Sequence, residues 1–275
     1  MFAFYAGMGK IHPMKFWIFL CLSASVWASL DEYFTSFPML RDEEKWEQII
    51  SLGEQALKST PTDLQAAKIY GQLASSYFYR GEFSAAESHA KACYETAVRS
   101  GLPEEQIHGM YLLSATARAH GEFSAAKAIA LLALPLASGE MRAKVLFNLG
   151  AAEGDDPHGN LNAAEAAYTE AASLFECALD RQRCAIRLGK IYLLRGEIGS
   201  ARALIEHTLP EIRNQRVGIH ASYLAAQVEK ADGNDEKAKE IGAAALEAAR
   251  RLNAQKDAER IAAFLEEIEQ SSKQT

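Results

Sequence analysis

The sequence predicts an all-α fold, an α-solenoid of stacked antiparallel helix pairs, and three observations carry that prediction. The string Gly81-Glu82-Phe83-Ser84-Ala85-Ala86 returns letter for letter as Gly121-Glu122-Phe123-Ser124-Ala125-Ala126, 40 residues later. Alanine is abundant and proline scarce, with seven in the chain, a balance that favours helix. Apolar residues make up 49% of the 275 residues, enough for a packed core and too much for wholesale disorder. Almost no strand is expected.

Weaker copies of the string follow at Gly159-Asn160-Leu161-Asn162-Ala163-Ala164, Gly196-Glu197-Ile198-Gly199-Ser200-Ala201 and Gly233-Asn234-Asp235-Glu236-Lys237-Ala238, so that successive spacings are 40, 38, 37 and 37. Each glycine falls where one helical pattern stops and the next begins, a place suited to a residue that takes positive φ without a Cβ clash. Seven residues beyond the last alanine of each copy stands a second small residue: Cys93, Ala133, Ala171, Thr208 and Ala245. Two turns of helix separate the two columns, and small side chains on one face let neighbouring helices approach closely. The segment Glu236 to Arg251, whose lone β-branched residue is Ile241, reads as helix throughout.

The helix ahead of each turn has its own signature, clearest in Leu188-Gly189-Lys190-Ile191-Tyr192 and Leu73-Ala74-Ser75-Ser76-Tyr77, with Leu149-Gly150 repeating its first half. Tyr70, Met110 and Leu146 supply a large residue three positions earlier. In these residues the chain resembles the tetratricopeptide family, whose motif runs aromatic, Leu-Gly, Tyr, then Gly, aromatic, Ala. Trp46, Ala56, Leu57 and Pro61 match the second helix of such a repeat and read as an incomplete first copy. The periods exceed the family's usual length, and Asp235 stands where an aromatic belongs. The resemblance implies a right-handed superhelix and this division: 1–28 signal segment, 29–41 lead-in, 42–252 repeat array, 253–275 capping helix and tail. In that last part Ala258, Ile261, Ala262, Leu265 and Ile268 form one apolar stripe, as a capping helix needs. Glu153-Gly154-Asp155-Asp156-Pro157-His158-Gly159 is longer than the other turns and rich in breakers, and a projecting loop is expected there.

The N-terminus carries a secretory pattern from Met14: Lys15, an apolar run Phe16 to Leu22, and the small-residue exit Val26-Trp27-Ala28. Met14 reads as the true start, and cleavage is expected after Ala28. The apolar stretch is shorter than the roughly 20 residues of a spanning helix, and no later run reaches that length, so no membrane span is expected once the segment is removed. Leu20 and the apolar residues around Cys21 argue against lipid attachment. The expected location is periplasmic, or secreted. The net charge is −7, and loss of Lys10 and Lys15 with the leader makes it −9, which disfavours nucleic acid and anionic lipid as partners.

No phosphate-binding glycine loop, His-Glu-x-x-His, nucleophile elbow or Cys-x-x-Cys is present. The chain is read as non-enzymatic, with no catalytic residues, no cofactor and no metal. Asp155, Asp156 and His158 read as an ordinary polar turn, Cys93 as a buried inert side chain, and the other histidines as surface or groove residues. Cys177 and Cys184 flank a predicted helix-helix turn, and a disulfide between them is considered because export would permit one.

In the tetratricopeptide family the first helix of each pair lines the concave side. Projected onto that side are Lys68, His108, Tyr111, Arg118, Lys144, Phe147 and Asn148. Arg183, Arg187, Lys190, Tyr223, Gln227 and Lys230 follow on the later repeats. The set is basic and aromatic in an acidic protein, which suggests a groove for an acidic segment or a peptide carboxylate. Asn148, Arg183 and Arg187 resemble part of the family's carboxylate clamp, although Tyr111 and Ala115 stand where the preceding repeat of a clamp has Lys and Asn. The function expected is an exported scaffold that binds a protein or peptide. A self-assembling structural protein and an accessory subunit of an envelope enzyme are the alternatives, and homo-oligomers are compatible with either.

Overall fold

A computed structural model describes residues 30–212 and 215–272, and the signal segment with Cys21 lies outside the described residues. Among the described residues there are helices and turns and no strand. The chain divides after His120 into two compact units. Unit 1 holds α1 (30–42), α2 (Trp46–Leu57), α3 (Asp63–Arg80), α4 (Phe83–Ser100) and α5 (Pro103–Ala119). Unit 2 holds α6 (Phe123–Ala133), α7 (Gly139–Asp155), α8 (Leu161–Leu174), α9 (Ala178–Leu194), α10 (Ile198–Thr208), α11 (Gln215–Ala231), α12 (Asp235–Arg251) and α13 (Gln255–Ser272).

The repeated string works as its spacing predicts. Its third residue, Phe83, Phe123, Leu161, Ile198 or Asp235, opens α4, α6, α8, α10 or α12. Its last alanine, at positions 86, 126, 164, 201 and 238, has no exposed surface at all. The second small column, Cys93, Ala133, Ala171, Thr208 and Ala245, is buried with it. Gly81, Gly121, Gly196 and Gly233 have φ between +75° and +82°. Gly159 does not, and its glycine answers to a different constraint: a Cβ there would stand 1.9 Å from the Glu153 carbonyl oxygen.

Within each unit consecutive helices pack together, and alternate helices also touch: α3 with α5 in unit 1, and α7 with α9, α9 with α11 and α11 with α13 in unit 2. Two layers result in unit 2, with the odd-numbered helices forming one of them. The signature tyrosines tie each pair to the preceding even helix: Tyr77 Oη donates to Glu54 at 2.9 Å and Tyr192 Oη to Glu165 at 3.2 Å. Arg80 and Arg195, each just before its turn glycine, pair with Glu47 and Glu165 of those same helices.

Two elements differ from those the sequence predicts. The lead-in is itself helical: Leu30, Tyr33 and Leu40 of α1 are buried against Ile49, Ile50, Ala56, Ile69 and Leu73, so the first copy has its partner helix. The expected loop at 153–159 is shorter than its composition predicts, because Glu153, Gly154 and Asp155 form the last turn of α7 and only 156–159 lie outside the helix. Only Pro157 and His158 of that segment are exposed. Lys127 reaches both Glu153, at 3.4 Å, and Asp156, at 3.0 Å, and draws the turn inward. The His158 amide and the Lys127 ammonium hold the Asp156 carboxyl below the usual carboxylate range.

At the chain's end, α13 buries Ala258, Ile261, Phe264 and Ile268 against α11 and α12. No helix among the described residues is long and apolar enough to cross a membrane.

Candidate functional site

The odd helices of unit 2 present most of the basic and aromatic residues read from the sequence. Lys144, Phe147 and Asn148 lie on α7, Arg183, Arg187 and Lys190 on α9, and Tyr223, Gln227 and Lys230 on α11. Because α9 touches both α7 and α11, these residues share one layer. Lys68 on α3 and Tyr111 and Arg118 on α5 belong to unit 1, where Lys68 is exposed and Tyr111 stacks on His108 with ring centroids 6.1 Å apart.

Every cation of the unit 2 set already has an acidic neighbour. Lys144 pairs with Glu140 at 2.7 Å and Arg183 with Asp180 at 2.9 Å, each within one helical turn. Lys230 pairs with Glu267 at 2.6 Å and lies 5.5 Å from the centre of the Phe264 ring. Arg187 and Lys190 converge on a single oxygen, Asp155 Oδ1, at 3.3 and 2.8 Å. Burial works against the Arg187 charge, and Tyr168 and Asp155 outweigh it, so its pKa stands above the ordinary value. Two cations against one carboxylate leave this point of the layer locally positive. An incoming carboxylate there meets preorganised donors and need not strip a one-to-one pair.

The aromatic residues are partly engaged. Phe147 packs edge-on against the buried Tyr168, and Tyr223 against Phe264. Arg260 lies 5.0 Å over the Tyr223 ring. Asn148 is only 5% exposed, so it belongs to the floor of the layer and is not an open arm of a clamp. Arg187 and Lys190 are legible in the sequence as candidate binding residues, whereas Asp155 reads there only as part of a polar turn. The pairing joins residues 32 and 35 positions apart, a separation at which no local pattern signals contact.

The considered disulfide is not formed: Cys177 and Cys184 are free thiols. Cys177 is the exposed N-cap of α9 and Cys184 a buried residue of the same helix. Seven residues of helix rise by about 10 Å, beyond the roughly 7 Å between Cα atoms that a disulfide spans. The predicted turn between them lies instead ahead of Cys177.

No family profile matches the chain, and no curated protein matches it in sequence. Solved structures do. The Rap conjugation gene regulator of the plasmid pLS20, in complex with a Phr peptide, superposes with a TM-score of 0.66 at 15% identity over 98% of this chain and 82% of its own. A Rap protein complexed with Competence and Sporulation Factor gives 0.65 at 13% identity over 88% and 75%. Aspartyl phosphate phosphatase F from Bacillus subtilis gives 0.61 at 13% identity over 96% and 76%. At these identities the likeness is one of architecture. The chain has the all-α fold of the tetratricopeptide-like helical-repeat proteins.

Proposed function

We propose that this protein is a non-catalytic scaffold whose odd-helix layer in unit 2 binds an acidic or carboxylate-terminated segment of a partner protein. One observation carries the reading: the convergence of Arg187 and Lys190 on one Asp155 oxygen, which leaves an unbalanced positive charge on a rigid helix. The flanking helices supply aromatic and amide groups at Phe147, Tyr223 and Gln227 to orient a chain laid across α9. Two structures that share the fold are complexes with a peptide or a named factor, which supports a ligand of this kind. The absence of nucleotide and nucleophile motifs from the sequence supports a role without chemistry.

Arg187→Ala combined with Lys190→Ala is expected to weaken binding of fluorescein-labelled acidic peptides by about tenfold or more, the scale of one lost charge-assisted hydrogen bond. Amidated, uncharged counterparts of the same peptides are expected to bind weakly to both proteins. Anisotropy titration measures this. Equal affinity for acidic and neutral peptides, or an unchanged double variant with its helicity intact, rejects the groove.

Export is part of the proposal and rests on the pattern from Lys15 to Ala28. Protein recovered from the envelope or medium of expressing cells is expected to begin at Ser29 by N-terminal sequencing. An intact leader on protein confined to the cytosol excludes export.

A further inference from the structure

Cys93 stands in the buried small-residue column of α4, yet the packing of unit 1 brings three ligand types to one point. Cys93 on α4 is fully buried, and Glu105 and His108 stand three residues apart on the facing helix α5, on one helical face. His108 Nδ1 lies 3.8 Å from Glu105 Oε2. The Cys93 sulfur, a Glu105 oxygen and a His108 nitrogen all lie within 4.8 Å of one another. A tetrahedral ion with ligands at its usual 2.0–2.3 Å sets them roughly 3.3–3.7 Å apart, so closure brings the ligand atoms together by about an ångström.

A second feature, on a third helix, fits the same purpose. Gly71 of α3 faces the cluster, and a Cβ there would stand 2.9 Å from His108 Nδ1 and Cε1 and 3.6 Å from the Cys93 sulfur. A side chain at this position would push the imidazole from its place beside the thiol. Tyr111 stacks against that ring, nearly parallel at 17°. The histidine is thereby held with Nδ1 toward Glu105.

We propose that Cys93, Glu105 and His108 bind a divalent transition metal of zinc type, with the fourth position open to water or to a donor from a ligand. Thiolate and imidazole select a borderline-soft ion over magnesium or calcium. The charges balance, since a dication, a thiolate, a carboxylate and a neutral imidazole sum to zero, which makes burial of the ion feasible. A thiol ligates a metal as the thiolate, so binding forms the metal–sulfur bond with release of the thiol proton to solvent, and no oxidant or reductant takes part. The His108 and Glu105 side chains are 26% and 11% exposed, which gives the ion a way in. An ion held there cross-links α4 to α5 directly and seats the ring against α3.

The test is titration of the reduced full chain with Co2+, followed by competition with Zn2+. The expected result is a sulfur-to-cobalt charge-transfer band in the near ultraviolet that saturates at about one ion per chain, with visible bands of four-coordinate intensity. Cys93→Ala, a change within the small-residue column, should abolish the band. Glu105→Gln, His108→Gln and Gly71→Ala should each weaken Zn2+ binding by about tenfold or more, the scale known for groups that support a metal site. Cys177→Ser should leave the band intact. No band in the wild type, or a band that survives Cys93→Ala and vanishes in Cys177→Ser, overturns the proposal. Should Cys93→Ala lose its helicity, unchanged affinity in both His108→Gln and Glu105→Gln overturns it equally.

Discussion

Replacing Gly109 with valine will lower the stability of unit 1 by about 3 kcal/mol, at the upper end of what overpacking costs. Gly109 lies on α5 where that helix crosses α4, and an added Cβ would stand 2.9 Å from the backbone N and Cα and the Cβ of Tyr94. Backbone cannot rotate away as a side-chain tip can, so the two helices must separate. Separation would loosen Cys93, Ala97 and Leu112, all buried in the same unit. Thermal melting followed by circular dichroism should show the midpoint falling by roughly 6–12 °C, at about 2–4 °C per kcal/mol for a chain of this size. Gly199→Ala provides the opposite sign: it lies in α10 with nothing within 4 Å of the added methyl and no positive φ, so it should be neutral or stabilise by up to about 1 kcal/mol. If both changes have the same small effect, close helix approach is not what Gly109 is there for.

The second large effect is an acid sensitivity centred on Glu229. This α11 carboxylate is 5% exposed and accepts hydrogen bonds from Arg202 of α10, from Lys237 of α12 at 2.8 Å and from Asn234 at 2.9 Å. Arg202 and Lys237 pull its pKa down from 4.5 to about 2. A depressed carboxylate stabilises the fold fully above its unfolded-state value, and that stabilisation is lost as pH falls from about 4.5 toward 2. The shift corresponds to about 3 kcal/mol at most; Lys237 is more than half exposed, and solvent screening reduces this to about 2 kcal/mol. Glu229→Gln should therefore cost about 2 kcal/mol at pH 7. The gap to wild type should close between pH 4.5 and 2 in melts taken across that range. A gap that stays constant to pH 2 would show that packing, and not charge, holds Glu229 in place.

Much of this molecule was legible because its signals are local. A glycine, then an apolar residue, then two alanines recur with small residues two turns on, and helix geometry places both columns on one face. Every member of both columns is buried. The helix running from Asp235 to Arg251, the turn glycines and the apolar stripe of α13 follow from the same short-range rules. Helix phase also placed Arg187 and Lys190 together, three residues apart on one face.

What lies between helices was not legible. Asp155 looked like part of a loop because glycine and proline surround it, yet α7 continues to that residue and Lys127, nearly 30 positions away, holds its neighbours inward. A breaker lowers the local preference for helix by about 1 kcal/mol, and ion pairs and packing outweigh that. The spacing of Cys177 and Cys184 predicts a turn between them, but α9 starts directly after Cys177, so Cys184 lies within the helix that Cys177 caps.

The sequence by itself determined the all-α class, the repeat, the turns that its glycine string marks and the buried columns, because each depends on residues within two turns of one another. Only the tertiary structure decided which charges neutralise each other, that Glu229 stands buried among cations, and that Gly71, Cys93, Glu105 and His108 meet. Those outcomes depend on side chains from separate helices reaching one point in space. Contact at that range is set by how the helices pack, to within an ångström or two, and no spacing along the chain encodes it.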